Sequence, residues 1–180
     1  IDQIGRERQE IAKTEQLDRD FNQAMQTGSS FAQQKDYMQA LASYQKALGL
    51  KPDNKLATDK IAEVNQAIVA VENDKKYLQA IQLADQALAT NDFEKAKMQY
   101  KEAIKFKATE TYPKNKLAEI SVAEANELKF EGLLSQGAKE FSDAAYDNAL
   151  TTYNEALSIK PQNQEVQKRI ADIQNIKKQQ

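Results

Sequence analysis

An internal repeat is the feature that most constrains how this chain can fold. Three segments align without gaps, and they are Tyr37–Ala47, Phe93–Ala103 and Tyr146–Ala156. Each has an aromatic residue, then Ala three residues on, Tyr seven on and Ala ten on. These spacings lie on one face of an α-helix, where Ala lets a neighbouring helix approach and the Tyr rings fill the space between helices. The repeat therefore predicts a series of packed helices.

Turn and cap signals flank each repeated segment. A Pro-x-Asn motif follows at Pro52, Pro113 and Pro161, where Pro ends one helix and Asn caps the next. The last Ala of the segment precedes this Pro by five residues in the first and third repeats but by ten in the middle one. This difference predicts an insertion around residues 108–112. On the other side of the segments, the predicted N-caps are Asp36, Asp92 and Ser142.

The spacing between segments predicts unusually long helices. The first Ala of the segment recurs after 56 and then 53 residues. The intervening residues are rich in helix formers, and Ala, Gln, Lys, Glu and Leu make up 97 of the 180 residues of the chain. We expect helices of 25–35 residues that each run into the first helix of the next repeat, with a possible break at Asn73-Asp74.

The pattern resembles the tetratricopeptide repeat (TPR) over residues 24–161. The first repeat matches that family at Gly28, Phe31, Ala40, Tyr44, Ala47 and Pro52. The middle repeat matches at Ala84, Ala96, Tyr100 and Ala103, and the third at Gly137, Ala149, Tyr153, Ala156 and Pro161. The large aromatic that usually opens the first TPR helix is missing from all three. The repeat period also departs from the TPR length of about 34 residues. The long form is similar to TPR-like repeats of Bacteroidetes envelope proteins.

The resemblance implies an all-α fold, a TPR-like superhelix or solenoid of helical hairpins with unusually long helices. We expect one domain over residues 1–180, with repeat units at about 22–54, 75–115 and 128–163. A helix over residues 1–21 precedes the first unit. A helix over residues 164–178, with a polar outer face, closes the last one, since terminal repeats need such caps for solubility.

Composition and charge exclude several classes of function. The chain has no His and no Cys, so Cys/His zinc sites, haem on His and Ser-His-Asp catalysis are excluded, and the sequence has no phosphate-binding Gly-rich loop. We therefore predict that the protein is not an enzyme and needs no cofactor or metal. The formal net charge of −2, with mixed signs and no basic stripe, argues against nucleic acid. No apolar run approaches the roughly 18 residues of a membrane span.

The TPR resemblance implies that the first helix of each repeat lines a concave groove that binds peptides. The apolar residues at groove positions are Met25, Ile81, Leu88, Leu134 and Phe141, which we take as the candidate partner-binding site. The alternative is that the extra helical length covers these side chains and makes them part of the core. The Lys and Asn residues with which some TPR proteins hold chaperone C-terminal carboxylates are absent, so binding of that kind is disfavoured.

The sequence thus predicts a non-enzymatic scaffold that binds a protein or peptide on a concave face, as a monomer or weak homodimer. The alternative is a structural spacer or stalk of long amphipathic helices, which includes a coiled-coil dimer. The chain begins at Ile1 rather than Met, which indicates a piece of a longer protein. The sequence does not determine the localisation, and similarity to Bacteroidetes envelope repeats favours the bacterial cell envelope.

Overall fold

Helices make up all the regular structure in the computed structural model, which describes residues 3–179. Three helices are long, α1 (Gln3–Gln33), α3 (Lys55–Ala89) and α5 (Tyr112–Ser142). They alternate with three helices of 14 residues each, α2 (Tyr37–Leu50), α4 (Phe93–Phe106) and α6 (Tyr146–Ile159), and α7 (Gln164–Gln179) ends the described part of the chain. No β-strand occurs among these residues, and the fold is a TPR-like all-α helical repeat.

The long helices are continuous, as their composition predicts. They contain 31, 35 and 31 residues, and α3 passes through Asn73 and Asp74 without a break. The helix predicted over residues 1–21 is likewise joined to the first helix of the first repeat, because α1 is unbroken from Gln3 onward. Ile1 and Asp2 lie outside the described residues. Neither joint contains a Pro, and at the joint in α3 the Asp74 carboxylate pairs with Lys107 and does not cap a new helix.

Each turn from a long helix to a short one has the same left-handed geometry. The backbone φ is +61° at Lys35, +57° at Asn91 and +57° at Ala144. In the first turn the Asp36 N–H donates to the Phe31 carbonyl and the Lys35 N–H donates to the Ala32 carbonyl, which is the Schellman pattern. The other two turns repeat both hydrogen bonds. The repeat period therefore extends to the backbone of the turns.

Side-chain caps form in two of these three turns. Asp36 and Asp92 each accept a hydrogen bond from the backbone N–H three residues later, as predicted. The prediction for Ser142 was wrong, because its hydroxyl donates to the carbonyl of Lys139 in α5 and Ala145 occupies the N-cap position of α6. A hydroxyl in the last turn of a helix finds a carbonyl there before it reaches the next helix.

The turn before α5 corrects the predicted insertion. Pro113 lies in the first turn of α5 and is buried, so it opens a helix there and does not end one. Counted from the last Ala of the short helix, Pro113 occupies the position that the buried Ala57 occupies on α3 and the buried Val166 on α7. The separation is ten residues in all three repeats, so the middle repeat has no insertion between these core positions.

The chain divides into two compact units. The first contains the residues up to Ala80 together with Lys105–Ala108, and the second contains Ile81–Ile104 together with the residues from Thr109. In the first unit, Tyr44 of α2 and Val64 of α3 belong to one hydrophobic cluster. In the second unit, Tyr100 of α4 packs with Ala84 of α3 and Ile120 of α5. The boundaries of the three repeat units stay a prediction.

Candidate interaction surface

A Tyr from each short helix fills the centre of its repeat. Tyr44, Tyr100 and Tyr153 are each 3% exposed or less. Tyr44 lies against Gly28 and Tyr153 against Gly137, so close that a Cβ on either glycine would be 2.7 Å from the ring. Glycine is favoured at both positions because a Cβ there would force the ring or the helix to shift. The two helices of the hairpin are thereby fixed at close approach.

The middle repeat solves the same packing problem differently. Ala84 stands where the other two repeats have glycine, and the next residue, Asp85, accepts hydrogen bonds from the Tyr100 hydroxyl at 2.5 Å and the Tyr112 hydroxyl at 2.9 Å. The two rings meet edge to face, with centroids 6.3 Å apart. Burial, and secondly the hydrogen bond to Asp85, raises the pKa of Tyr100. Both phenols are therefore held neutral as donors to one carboxylate.

A Lys–carboxylate–aromatic clamp closes the C-terminal end of each short helix. Lys51, Lys107 and Lys160 each place Nζ 4.4–5.3 Å from the centroid of a buried aromatic ring. The rings belong to Phe21, Tyr77 and Phe130, and the paired carboxylates to Asp18, Asp74 and Glu127, at 2.5–2.9 Å. We call these three sets the lysine clamps.

None of the residues of the lysine clamps is among the predicted site residues. The signal was present, because all three residues of the clamp recur at the same offsets of 56 and 53 as the repeated segments. The aromatic residue of the clamp does not stand out as a TPR feature, because the TPR pattern has its large aromatic one helical turn later in the first helix. Each repeat does have a large aromatic in its first helix, at Phe21, Tyr77 and Phe130, so the statement that this aromatic is missing applies only to the usual TPR position.

A cleft of about 300 Å³ opens where α5, α6 and α7 meet, within the second compact unit. It is lined by Phe141, Tyr153, Glu165, Lys168, Arg169 and Asp172. Arg169 is held in place because its guanidinium donates to Glu165 at 2.7 Å and to the Tyr153 hydroxyl at 3.4 Å, and lies over the Tyr153 ring. These contacts raise the pKa of Arg169, mainly through the hydrogen bond to Glu165.

The five predicted groove residues have different surroundings. Met25, Ile81, Leu88 and Leu134 are partly buried and pack against hydrophobic clusters of their own units. Ile81 and Leu88 share one cluster, and Leu134 packs against another. Phe141 differs, since 38% of it is exposed, and its ring packs against Tyr146 with centroids 5.8 Å apart. Of the five, Phe141 has the surface most available to a partner.

Residues 3–179 contain neither a cluster of metal ligands nor a helix suited to crossing a membrane. No group of three or more His, Cys, Asp or Glu side chains in residues 3–179 is arranged to hold a metal ion. Within the same range, every helix is too short or too polar to cross a membrane.

Comparison with known proteins is consistent with this geometry at the level of the repeat. No curated protein matches the chain. The family model of the tetratricopeptide repeat matches residues 19–54, which comprise the C-terminal half of α1, all of α2 and the turn before α3. This segment contains both Gly28 and Tyr44, the pair that fixes the first hairpin. Such repeats suggest a protein-interaction scaffold, and residues 19–54 of this chain are similar to the tetratricopeptide repeat family.

Proposed function

We propose that the protein is a non-enzymatic scaffold that binds a peptide segment of a partner, and that the α5–α6–α7 cleft is the binding site. The observation that carries this proposal is the cleft itself, where the exposed face of Phe141 lies in a recess of about 300 Å³ that two cationic and two acidic side chains also line. A volume of this size accommodates one or two side chains of a peptide. The other predicted groove residues are Met25, Ile81, Leu88 and Leu134. They are partly buried, and we propose that only their exposed atoms contact a partner.

The chemistry of the cleft suggests what kind of peptide it binds. Phe141 offers apolar surface, which favours an apolar side chain. Lys168 makes no hydrogen bond or ion pair with the described residues, whereas Arg169 is already oriented by Glu165. An acidic group next to the apolar side chain would pair with Lys168 and approach the free edge of the Arg169 guanidinium. We therefore expect a ligand with an apolar residue next to a carboxylate.

The test is selection of peptides from a random displayed library on the wild-type chain. We expect the enriched peptides to share an apolar residue beside Asp or Glu. Fluorescence anisotropy then compares Phe141→Glu and Lys168→Glu with a matched control, Leu128→Glu, which alters another exposed apolar side chain of α5. The two cleft variants should weaken binding by at least about tenfold, and the control should leave it unchanged.

The outcome that contradicts the proposal is equally specific. Phe141→Glu with unaltered circular dichroism and unaltered peptide affinity would remove the cleft as the binding site. Equal losses in Phe141→Glu and Leu128→Glu would point to general loss of surface hydrophobicity. Reversal of the charge at Lys168 should shift selection toward basic peptides, which a merely structural lysine would not do.

A structural spacer is the second candidate function. It is favoured by the continuous helices of 31, 35 and 31 residues, which are longer than the 10–14 residues typical of globular proteins. Sedimentation velocity separates the two readings, since a coiled-coil stalk should remain dimeric on dilution to nanomolar concentration. A scaffold of the proposed kind should sediment as a monomer or weak homodimer and bind the selected peptides.

A further inference from the structure

Helices α1 and α5 are two copies of one design. Both contain 31 residues, and they begin 109 residues apart, at Gln3 and Tyr112. With this register the lysine-clamp carboxylates, the clamp aromatics and the ring-contacting glycines coincide. The matched pairs are Asp18 with Glu127, Phe21 with Phe130, and Gly28 with Gly137. The correspondence therefore covers the C-terminal halves of both helices, where each packs with the short helix that follows it.

The N-terminal halves share two apolar positions, which differ in burial between the two helices. In the first half of α5 the fully buried apolar positions are Pro113 and Ile120, and Ile120 belongs to the same cluster as Tyr100 of α4. The same register places Ile4 and Ile11 at these positions in α1. Each of these isoleucines is 60% exposed. At the position of Leu117 of α5, which packs against the same cluster as Ile120, α1 has Arg8. The first half of α1 thus keeps the two apolar positions that are fully buried in α5, without a described helix to cover them.

The same two positions are covered in all the other repeats. On α3 they are Ala57 and Val64, which pack with residues of α2. On α7 they are Val166 and Ile173, which pack with residues of α6. Each of these three surfaces is occupied by a 14-residue helix with the Ala-x3-Tyr-x2-Ala pattern. The occupied examples define what fits such a surface.

We propose that the Ile4–Ile11 face of α1 is a docking surface for a helix of this same Ala-x3-Tyr-x2-Ala type, supplied by another polypeptide. A second copy of the chain is a poor source, because its own helices of this kind are already engaged. Its α4, for example, lies in one cluster with Ala84 of α3 and Ile120 of α5. The inference uses no residue of the α5–α6–α7 cleft, so it stands or falls independently of the proposed function.

Charge indicates which of the three short helices is the best template. On α4, Lys97 donates to Glu124 of α5 at 2.7 Å, and Glu124 corresponds to Glu15 in the register of α1. The Glu15 side chain is 63% exposed and has only a 3.8 Å ion pair with Arg19. Helices α2 and α6 have Leu where α4 has Lys97. The partner helix is therefore expected to resemble α4, with a lysine directly after the first Ala of the Ala-x3-Tyr-x2-Ala pattern to meet Glu15.

The test uses a peptide of residues 91–108, blocked at both ends, added to the full chain. Hydrogen exchange should slow by at least about tenfold at amides between residues 4 and 17, since covering two isoleucines opposes local opening. Ile4→Glu with Ile11→Glu should abolish the effect. Val122→Glu with Leu128→Glu is the matched control, because it changes two exposed apolar residues of α5, and it should leave the effect intact.

A charge exchange makes the test specific. A peptide carrying Lys97→Glu should no longer slow hydrogen exchange in the wild-type chain. The same peptide should slow exchange again in the Glu15→Lys variant. A free peptide of this length is only marginally helical, so the second probe is a fusion in which residues 93–111 are joined directly to Gln3. Residue 111 precedes Tyr112 in the chain, and Tyr112 corresponds to Gln3 in the register of α1 and α5. This tethered helix should raise Tm, and Ile4→Glu with Ile11→Glu should remove the gain.

Three results would overturn the inference. The first is an absence of slowed exchange with both the peptide and the tethered helix. The second is equal protection in the wild type and in the Ile4→Glu, Ile11→Glu variant. The third is a homodimer of the unmodified chain in sedimentation velocity that the same variant dissociates, because a second copy would then be the occupant.

Discussion

Gly137 lies under the Tyr153 ring, so close that a Cβ on the glycine would be 2.7 Å from Cε1. Both groups are on rigid helices, and Tyr153 is 1% exposed, so the ring has no free space into which to move. We expect Gly137→Ala to destabilise the protein by about 1–3 kcal/mol through overpacking. The free energy of unfolding from a urea titration, followed by circular dichroism, measures this.

Gly132 supplies the control on the same helix. A Cβ there would meet nothing within 4 Å, so Gly132→Ala should stabilise the protein by about 0.5–1 kcal/mol through the helix propensity of Ala. Opposite signs for two Gly→Ala changes five residues apart would identify the ring contact as the cause. Stabilisation by both would show that Tyr153 is free to move aside.

Ala144 is a second site where the Cβ atom affects stability. Its φ of +57° is unfavourable for a residue with a Cβ, and the turn has no glycine. Ala144→Gly should therefore raise the free energy of unfolding by up to about 1 kcal/mol. Ala123→Gly, in the exposed middle of α5, should lower it by about 0.5–1 kcal/mol. A loss of stability in Ala144→Gly would contradict the left-handed turn.

The lysine clamp of the third repeat can be measured by a double-mutant cycle. Lys160 Nζ lies 4.4 Å from the centroid of the Phe130 ring, which is 4% exposed. Lys160→Met combined with Phe130→Leu should give a coupling energy of about 0.5–1 kcal/mol, the magnitude of a partly exposed cation–π contact. Replacing Lys160→Met by Lys129→Met should reduce the coupling to near zero. Equal coupling in both cycles would rule out a specific contact.

Stability should depend on alkaline pH through the middle repeat. Burial, followed by the hydrogen bond to Asp85, raises the pKa of Tyr100 above its ordinary value of 10.0. A raised pKa means that the folded state favours the neutral phenol. Its contribution is therefore complete below about pH 10 and is lost as pH rises toward the folded-state pKa. Urea unfolding at a series of pH values from about 8 to 11 measures this loss.

Two variants identify the source of that pH dependence. Tyr100→Phe should lower stability at neutral pH by about 1 kcal/mol because Asp85 loses one donor, and it should flatten the decline above about pH 10. Asp85→Asn keeps an acceptor oxygen but removes the charge, so its decline should be intermediate. An unchanged alkaline decline in Tyr100→Phe would assign the effect to other groups.

The fold was largely predictable because its determinants are local. Helix-face spacing identified all three short helices, and the lack of breakers identified the long ones. The glycine–tyrosine packing was also visible, since Gly28 and Gly137 stand at the same distance before their Tyr residues. These features depend on residues within one helical hairpin. A periodic sequence is sufficient to specify such contacts because the hairpin brings them together in every repeat.

What remained unpredicted depends on contacts between helices that sequence spacing does not rank. The spacing of Pro113 predicts the end of a helix where the residue opens α5, because Pro is compatible with both the first turn of a helix and the residues after one. Lys160 and Glu127 are 33 residues apart, and only the recurrence of a Lys and a carboxylate at the repeat offsets distinguishes that pair from other charges. For Phe141, exposure decides its role, and exposure depends on where the neighbouring helices end. Its part in binding stays a prediction.

The lysine clamps make the repeats chemically distinguishable. An amine that lies between a carboxylate and a ring has to leave both before its nitrogen can attack an acylating reagent. Lys51, Lys107 and Lys160 should therefore acylate more slowly than the exposed Lys75. As denaturant is added, the concentration at which each lysine becomes reactive reports when that helix end opens. Three native amines thus record the local unfolding of three helix ends without any introduced label.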